Sequence, residues 1–237
     1  MQETRCNKST VILLGTIHFG SDHYPKYIRQ LHNIILEISP DVICAEISPD
    51  QLDGSTTCNS KPEYPCCILP ISREKSIPVV PIQPGCDEPI ATSLEDRKLT
   101  ALQSASSNSA EAKLLEYIKR CDEVSINFWR TIMRNEMAIE RVQSSEFHIA
   151  IAPQAYVMAE YFPEFMRLSD EWNEYFLGKI ENTITSNKYQ KILVIVGLGH
   201  KYWLWDHLKK RTDIILHNIL TFREKQDENR KSENDRS

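Results

Sequence analysis

The chain has 237 residues, 41% of them hydrophobic and 26% charged, with a formal net charge of -5. That balance is ordinary for a globular protein, and the length suits one large α/β domain better than two small ones. No basic stripe stands out to hold a polyanion, so nucleic acid is not an expected partner. No apolar run approaches the ~20 residues of a membrane helix, so a membrane is not expected either.

The first ten residues, MQETRCNKST, lack the apolar stretch of a signal peptide. With the cysteine usage this predicts a cytoplasmic chain. The seven cysteines are odd in number and form no CxxC pair, which fits free thiols in a reducing compartment. Cys58, Cys66 and Cys67 cluster in one loop and could bind a metal or oxidise.

The first strand is Val11–Leu14, running into Gly15-Thr16-Ile17-His18-Phe19-Gly20. Ser21-Asp22 can cap a helix with Pro25 in its first turn. Ile28, Leu31, Ile34, Ile35 and Ile38 keep the helical period, and Pro40 ends the helix. Asp41–Ile47 is a second strand, apolar throughout as a strand buried on both faces should be, except for Glu46 near its C-terminal end. Strand, helix and strand together form a right-handed parallel crossover.

Residues 48–75 change character. Pro49, Pro62, Pro65 and Pro70, with Asp53-Gly54, predict a long excursion with little secondary structure. Ile77–Ile82 is a third strand whose two prolines favour an edge. A helical mid-section follows from Ile90 to about Ser186. Within it, one helix over Glu123–Val142 carries a stripe of Val124, Phe128, Ile132, Ile139 and Val142 and a second of Trp129, Met133 and Met137, so burial on two sides is expected. Pro153 and Pro163 break the segment His148–Met166, and Ser169–Thr185 is an amphipathic helix. Ile192–Val196 is a strand, Lys201–Arg211 a helix and Ile214–Ile219 a last strand. The tail, 223–237, has too few apolar residues to fold. The expected architecture is α/β: a mixed, largely parallel central sheet flanked by helices, in a single domain over 1–222.

One phrase occurs twice. Val11–Leu14 leads to Gly15-Thr16-Ile17-His18, and Leu193–Val196 leads to Gly197-Leu198-Gly199-His200. The chain has only seven glycines, and Gly15, Gly20, Gly197 and Gly199 lie in or beside these two turns. In parallel α/β sheets ligands bind beyond the carboxyl ends of the strands. His18, Glu46 and His200 all sit at such ends and are expected to converge. Two imidazoles and a carboxylate can hold a divalent metal with positions open for water. They can equally work without metal as an acid/base set around a water. A histidine after a strand can also be a hydrogen-bonded turn residue, and a buried acid can be half of a structural ion pair.

Arg134 could neutralise Glu46 or hold an anionic substrate or transition state, and Asn135 could be a buried hydrogen-bonding partner. Gly15, Thr16, Gly197 and Gly199 are expected to line the pocket. His23 could supply a third ligand. His200 and His207 share a helix face about 10.5 Å apart, too far to chelate one ion. Glu136 and Glu140 stand at i,i+4, where a solvated or Arg-paired face competes with metal binding. Trp203 and Trp205 are expected to pack the last helix. No Walker loop, GxGxxG, HExxH or GxSxG motif is present.

The ordered set of Gly15-Thr16-Ile17-His18, Glu46 after Pro40-Asp41, Arg134-Asn135 before Met137-Ala138, and Gly197-Leu198-Gly199-His200 resembles the TraB/PrgY/GumN–TIKI superfamily, related to the erythromycin esterases and ChaN-like proteins. The resemblance covers roughly residues 10 to 220. It implies a mixed α/β fold whose paired GxxH motifs and Glu form the active centre. For TIKI-type members it implies a metal-dependent peptidase using manganese or cobalt. For erythromycin esterases it implies a metal-independent site that activates water, and for ChaN-like members haem binding. After His200 this chain has Lys201-Tyr202-Trp203, where many members have a small residue and Gly, and its loop 48–75 is not part of the common pattern. The expectation is a hydrolase, foremost a metal-assisted peptidase or amidase with manganese, cobalt or zinc held by His18, Glu46 and His200, acting on a peptide or small molecule. The alternatives are a metal-independent esterase-like hydrolase and a non-catalytic protein that binds a peptide, metal or haem.

Overall fold

The computed structural model describes residues 8–18, 24–57, 60–88, 138–144, 163–186 and 188–234, with isolated positions from 100 to 160. Five strands, β1 (Ser9–Thr16), β2 (Val42–Ala45), β3 (Val79–Pro81), β4 (Lys191–Gly197) and β5 (Ile214–Asn218), form one sheet in the order β3-β2-β4-β1-β5. Each of these pairings is parallel, so the sheet expected to be mixed is parallel throughout the described residues. β1 and β4 are the central apolar phrases and pair along their length, from Thr10 with Lys191 to Thr16 with Gly197. The proline-flanked β3 lies at one edge, where missing ladder donors cost least.

Side chains alternate across the sheet and give it two cores. Ile12 and Leu14 pack on one face with Leu31, Ile34, Tyr64 and Ile68. Val11, Leu13 and Val194 pack on the other with Phe176, Ile180, Leu204 and Leu208. The sheet is therefore a middle layer with helices on both faces, as parallel sheets require. On the first face lie α1 (Pro25–Ile38), a π-helix (Tyr64–Ile68), α3 (Leu69–Lys75) and α4 (Ala138–Val142); α2 (Pro49–Asp53) precedes the π-helix. On the second lie α5 (Pro163–Thr185) and α6 (Leu198–Leu208).

Several elements differ from expectation. Tyr24, not Ser21 or Asp22, occupies the N-cap of α1, with Pro25 in the first turn. The excursion 48–75 is ordered and helical. Its prolines do not break it: Pro49 and Pro65 fall in the first turns of α2 and the π-helix, where the missing N–H has no partner to lose, and Pro70 lies where the π-helix passes directly into α3. Ser48 and Gln51 add a reciprocal capping box.

A turn at Arg134 interrupts the single helix expected over 123–142. Phe128, placed in its buried stripe, is 50% exposed, while Ile139 and Val142 are buried. The described part of α5 begins at Pro163. α6 follows β4 directly, so Gly199 and His200 lie in its first turn. The tail expected not to fold continues as α7 (Ile219–Asn234). Ile219 and Phe222 anchor that helix in the core, and Arg223 bridges Glu37 of α1 and Glu140 of α4 at 2.7 and 2.6 Å.

The strand order fixes where a ligand can sit. From β1 the chain crosses to β2 and β3, then returns to insert β4 between β1 and β2 and place β5 on the far side. The three central strands are therefore β2, β4 and β1, and their carboxyl ends meet. Among the described residues no helix is long and apolar enough to cross a membrane.

Candidate functional site

His18 follows β1, Glu46 follows β2 and His200 follows β4, so three neighbouring strands deliver them to one edge. There they line a cavity of about 190 Å³ together with Thr16, Ile17 and Gly197–Gly199. Glu46 lies between the imidazoles: His18 Nε2 is 3.5 Å from its Oε2, and His200 Nε2 is 3.8 Å from its Oε1. The Gly197 N–H donates to Glu46 Oε2 at 2.5 Å. A side chain at Gly197 would press on this arrangement, because a Cβ there would stand 2.6 Å from His18 Nε2. A Cβ at Gly15 would meet Leu198 and Lys201, whereas one at Gly199 would meet nothing.

Four residues of the site were not among those expected from the sequence. Lys61 Nζ sits 2.8 Å from Glu46 Oε1 and also donates to the Glu46 carbonyl and to Gln83 Oε1. Glu63 is fully buried; its Oε1 lies 2.5 Å from His18 Nδ1 and accepts from the Thr16 hydroxyl. The Tyr64 hydroxyl accepts from the Glu46 N–H and donates to the Ile195 carbonyl, tying β2 to β4. Asn173 of α5 places its Oδ1 2.6 Å from His200 Nδ1.

Lys61, Glu63 and Tyr64 come from the excursion, which has no periodicity to flag them. Asn173 does leave a trace. It stands three, seven and eleven residues before Phe176, Ile180 and Ile184, a polar residue on the apolar stripe of α5.

Burial opposes the charge on Glu46, but Lys61, His200 and His18 outweigh it and hold its pKa well below the usual carboxylate range. Burial also lowers the pKa of His18, yet the attraction of Glu46 and Glu63 dominates and raises it to about 9. His200 goes the other way. Burial depresses its pKa, with Lys61 and His18 adding to the effect against the pull of Glu46. Near neutral pH the site thus pairs an imidazolium at His18 with a neutral imidazole at His200. Two titratable groups pushed apart in this way can act as an acid and a base.

No protein-family model, curated protein or solved structure matches the chain. What the centre can do therefore follows from its own geometry.

The remaining expected site residues separate into two groups. Arg134 is exposed in its turn and does not line the cavity. His23 and Asn135 lie outside the described residues, as do Glu136 and Cys58. His207 stacks on Trp203 and approaches its carbonyl, away from the cavity. Glu140 is paired with Arg223. Cys66 is exposed and Cys67 buried, both as free thiols.

Proposed function

We propose that the chain is a hydrolase that activates water at His18, Glu46 and His200 and cleaves an ester or amide carbonyl without a resident metal. The observation that carries this reading is the pair of histidine Nε2 atoms flanking one buried carboxylate, with their pKa values moved in opposite directions. The Gly15–His18, Glu46 and Gly197–His200 motifs, which resemble those of the TraB/TIKI superfamily, support the same centre, whereas Arg134 stands apart from it. His200 Nε2 takes a proton from water, and the resulting hydroxide attacks the carbonyl carbon. The His18 imidazolium faces the developing oxyanion and gives a proton to the leaving group as the carbonyl bond to oxygen or nitrogen breaks. Glu46 and Glu63 together keep His18 charged between turnovers.

The resemblance implies a divalent metal, and the donors are right in kind. Their arrangement does not fit one. The Lys61 ammonium already lies on Glu46 Oε1 and the Gly197 N–H on Oε2. A dication among the three donors would sit against that ammonium and would have to displace the His18 proton.

The test is hydrolysis of a panel of activated ester and amide probes before and after exhaustive chelation, with metal content measured alongside. The expected result is activity that survives chelation and falls roughly 100-fold or more in His200→Ala, as loss of a general base requires. Activity lost on chelation and restored by manganese or cobalt would replace this reading with the metal-assisted one. Tight binding of a peptide or haem with no turnover would favour the non-catalytic reading.

A further inference from the structure

The two imidazoles are matched in position and unlike in what stands behind them. Each turns its Nε2 toward Glu46, and each is held at Nδ1 by a second side chain. Behind His18 is the carboxylate of Glu63, fully buried, at 2.5 Å. Behind His200 is the amide oxygen of Asn173, 3% exposed, at 2.6 Å. A carboxylate beside a ring N–H stabilises the charged imidazole, whereas an amide oxygen only fixes where the proton of a neutral ring resides.

We propose that Glu63 and Asn173 are positioning residues that divide the labour of the two histidines. Glu63 holds His18 doubly protonated, and Asn173 holds His200 as the neutral Nδ1–H tautomer with a free Nε2 lone pair. The inference rests on the reading of these histidines as the reactive centre.

The surroundings agree with the assignment. His18 faces Glu46 and Glu63. Among the described residues His200 faces one carboxylate, Glu46, and it packs on the Phe176 ring at 5.1 Å. The only ammonium bonded to that carboxylate among the described residues is Lys61. Glu63 and Asn173 are absent from the cavity lining, so each acts through a histidine and not on a substrate.

The test is a long-range proton–nitrogen NMR spectrum of the full chain labelled with ¹⁵N-histidine near pH 7. His18→Gln and His200→Gln variants assign the signals. The parent is expected to show His18 with both nitrogens protonated and His200 with the proton on Nδ1 alone. Glu63→Gln should lower the pH at which His18 gives up its Nε2 proton, Glu46 still standing beside it, and leave the proton on Nδ1. Asn173→Asp, of the same shape, should make His200 doubly protonated and lower kcat at least 10-fold with little change in KM. Asn173→Leu should release the tautomer, and circular dichroism melts show whether each variant remains folded. A His200 protonated on Nε2 alone in the parent would overturn the proposal, as would folded Glu63→Gln and Asn173→Asp variants with histidine spectra unchanged across pH. If the parent shows the expected protonation but hydrolyses no probe, the hydrolase reading fails while the positioning roles stand.

Discussion

Glu46 has more donors around it than it has oxygens, and Lys61 is the one that balances it in full. Replacing Lys61 with Met would leave the carboxylate buried beside two histidines, only one of them charged, and would strip a donor from Gln83. Breaking a buried pair from one side typically costs 3–5 kcal/mol. With His18 still compensating, Lys61→Met should lose about 3 kcal/mol in a urea denaturation series, and a loss below about 0.5 kcal/mol would show the pair to be unimportant. Lys201 is the opposite case. It is 2% exposed with its Nζ on the Gln143 carbonyl, and burial lowers its pKa to about 8. At 1.36 kcal/mol per unit, a fall from 10.5 to about 8 means that the charge costs roughly 3 kcal/mol at pH 7. The lost hydrogen bond returns about 1 kcal/mol of that, so Lys201→Met should raise stability by about 1–2 kcal/mol, read from the same denaturation midpoint. At this scale the sequence exposes the centre unevenly. His18, Glu46 and His200 are legible because each interrupts an apolar strand or follows a glycine turn. Lys61 and Glu63 are not, because their place depends on a tertiary contact that no local pattern records.

Glycine spacing acts at the level of the turn between β4 and α6. Gly197→Ala would drive a methyl group into His18 and Glu46, whereas Gly199→Ala meets open space in the first turn of a helix. The first should therefore cut kcat/KM at least 100-fold on any probe that the parent hydrolyses. The second should change stability by no more than about 0.5 kcal/mol, since alanine suits a helix at least as well as glycine. Equal losses in both variants would remove the special role of Gly197. Strands and amphipathic helices are legible wherever periodicity carries them: β1, β4, α1 and the C-terminal part of α5 lie where their patterns put them. The failures share a cause. A proline near a helix start has the same letter as one in a breaker, so α2, the π-helix and α3 are hidden in a run of prolines. α7 is hidden because its hold on the molecule is one apolar turn followed by Arg223 gripping two other helices. Arg223→Ala should cost about 1–2 kcal/mol, because its partly buried pairs join three elements; melts in high salt test whether the loss is electrostatic.

Over the whole molecule the buried titrations set the pH range of the fold. The raised pKa of His18 contributes stability fully present below pH 6.5 and lost as pH rises through about 9. The lowered pKa of His200 penalises folding as pH falls below 6.5. Glu46 contributes stability present above its ordinary 4.5 and lost as pH falls through its depressed value. The cost of charged Lys201 is relieved between about 8 and 10.5. Thermal melts from pH 4 to 9 should therefore peak near pH 6.5, and His18→Gln should flatten the alkaline limb; a parent curve that climbs steadily from 6.5 to 9 would mean that His18 is not held charged. The layered α/β class is legible from alternating strand and helix patterns, but the strand order is not, because pairing between β1 and β4 spans 180 residues and leaves no mark on either strand alone. That separation has a consequence during biosynthesis. Both neighbours of β1 are β4 and β5, so its apolar backbone edges leave the ribosome with no partner yet made. At about 5–20 residues per second, β1 waits roughly 10–35 s for β4 to be translated. An apolar strand thus has to be kept apart through most of translation, and chaperone supply, more than intrinsic stability, should set the yield of native protein in a cell.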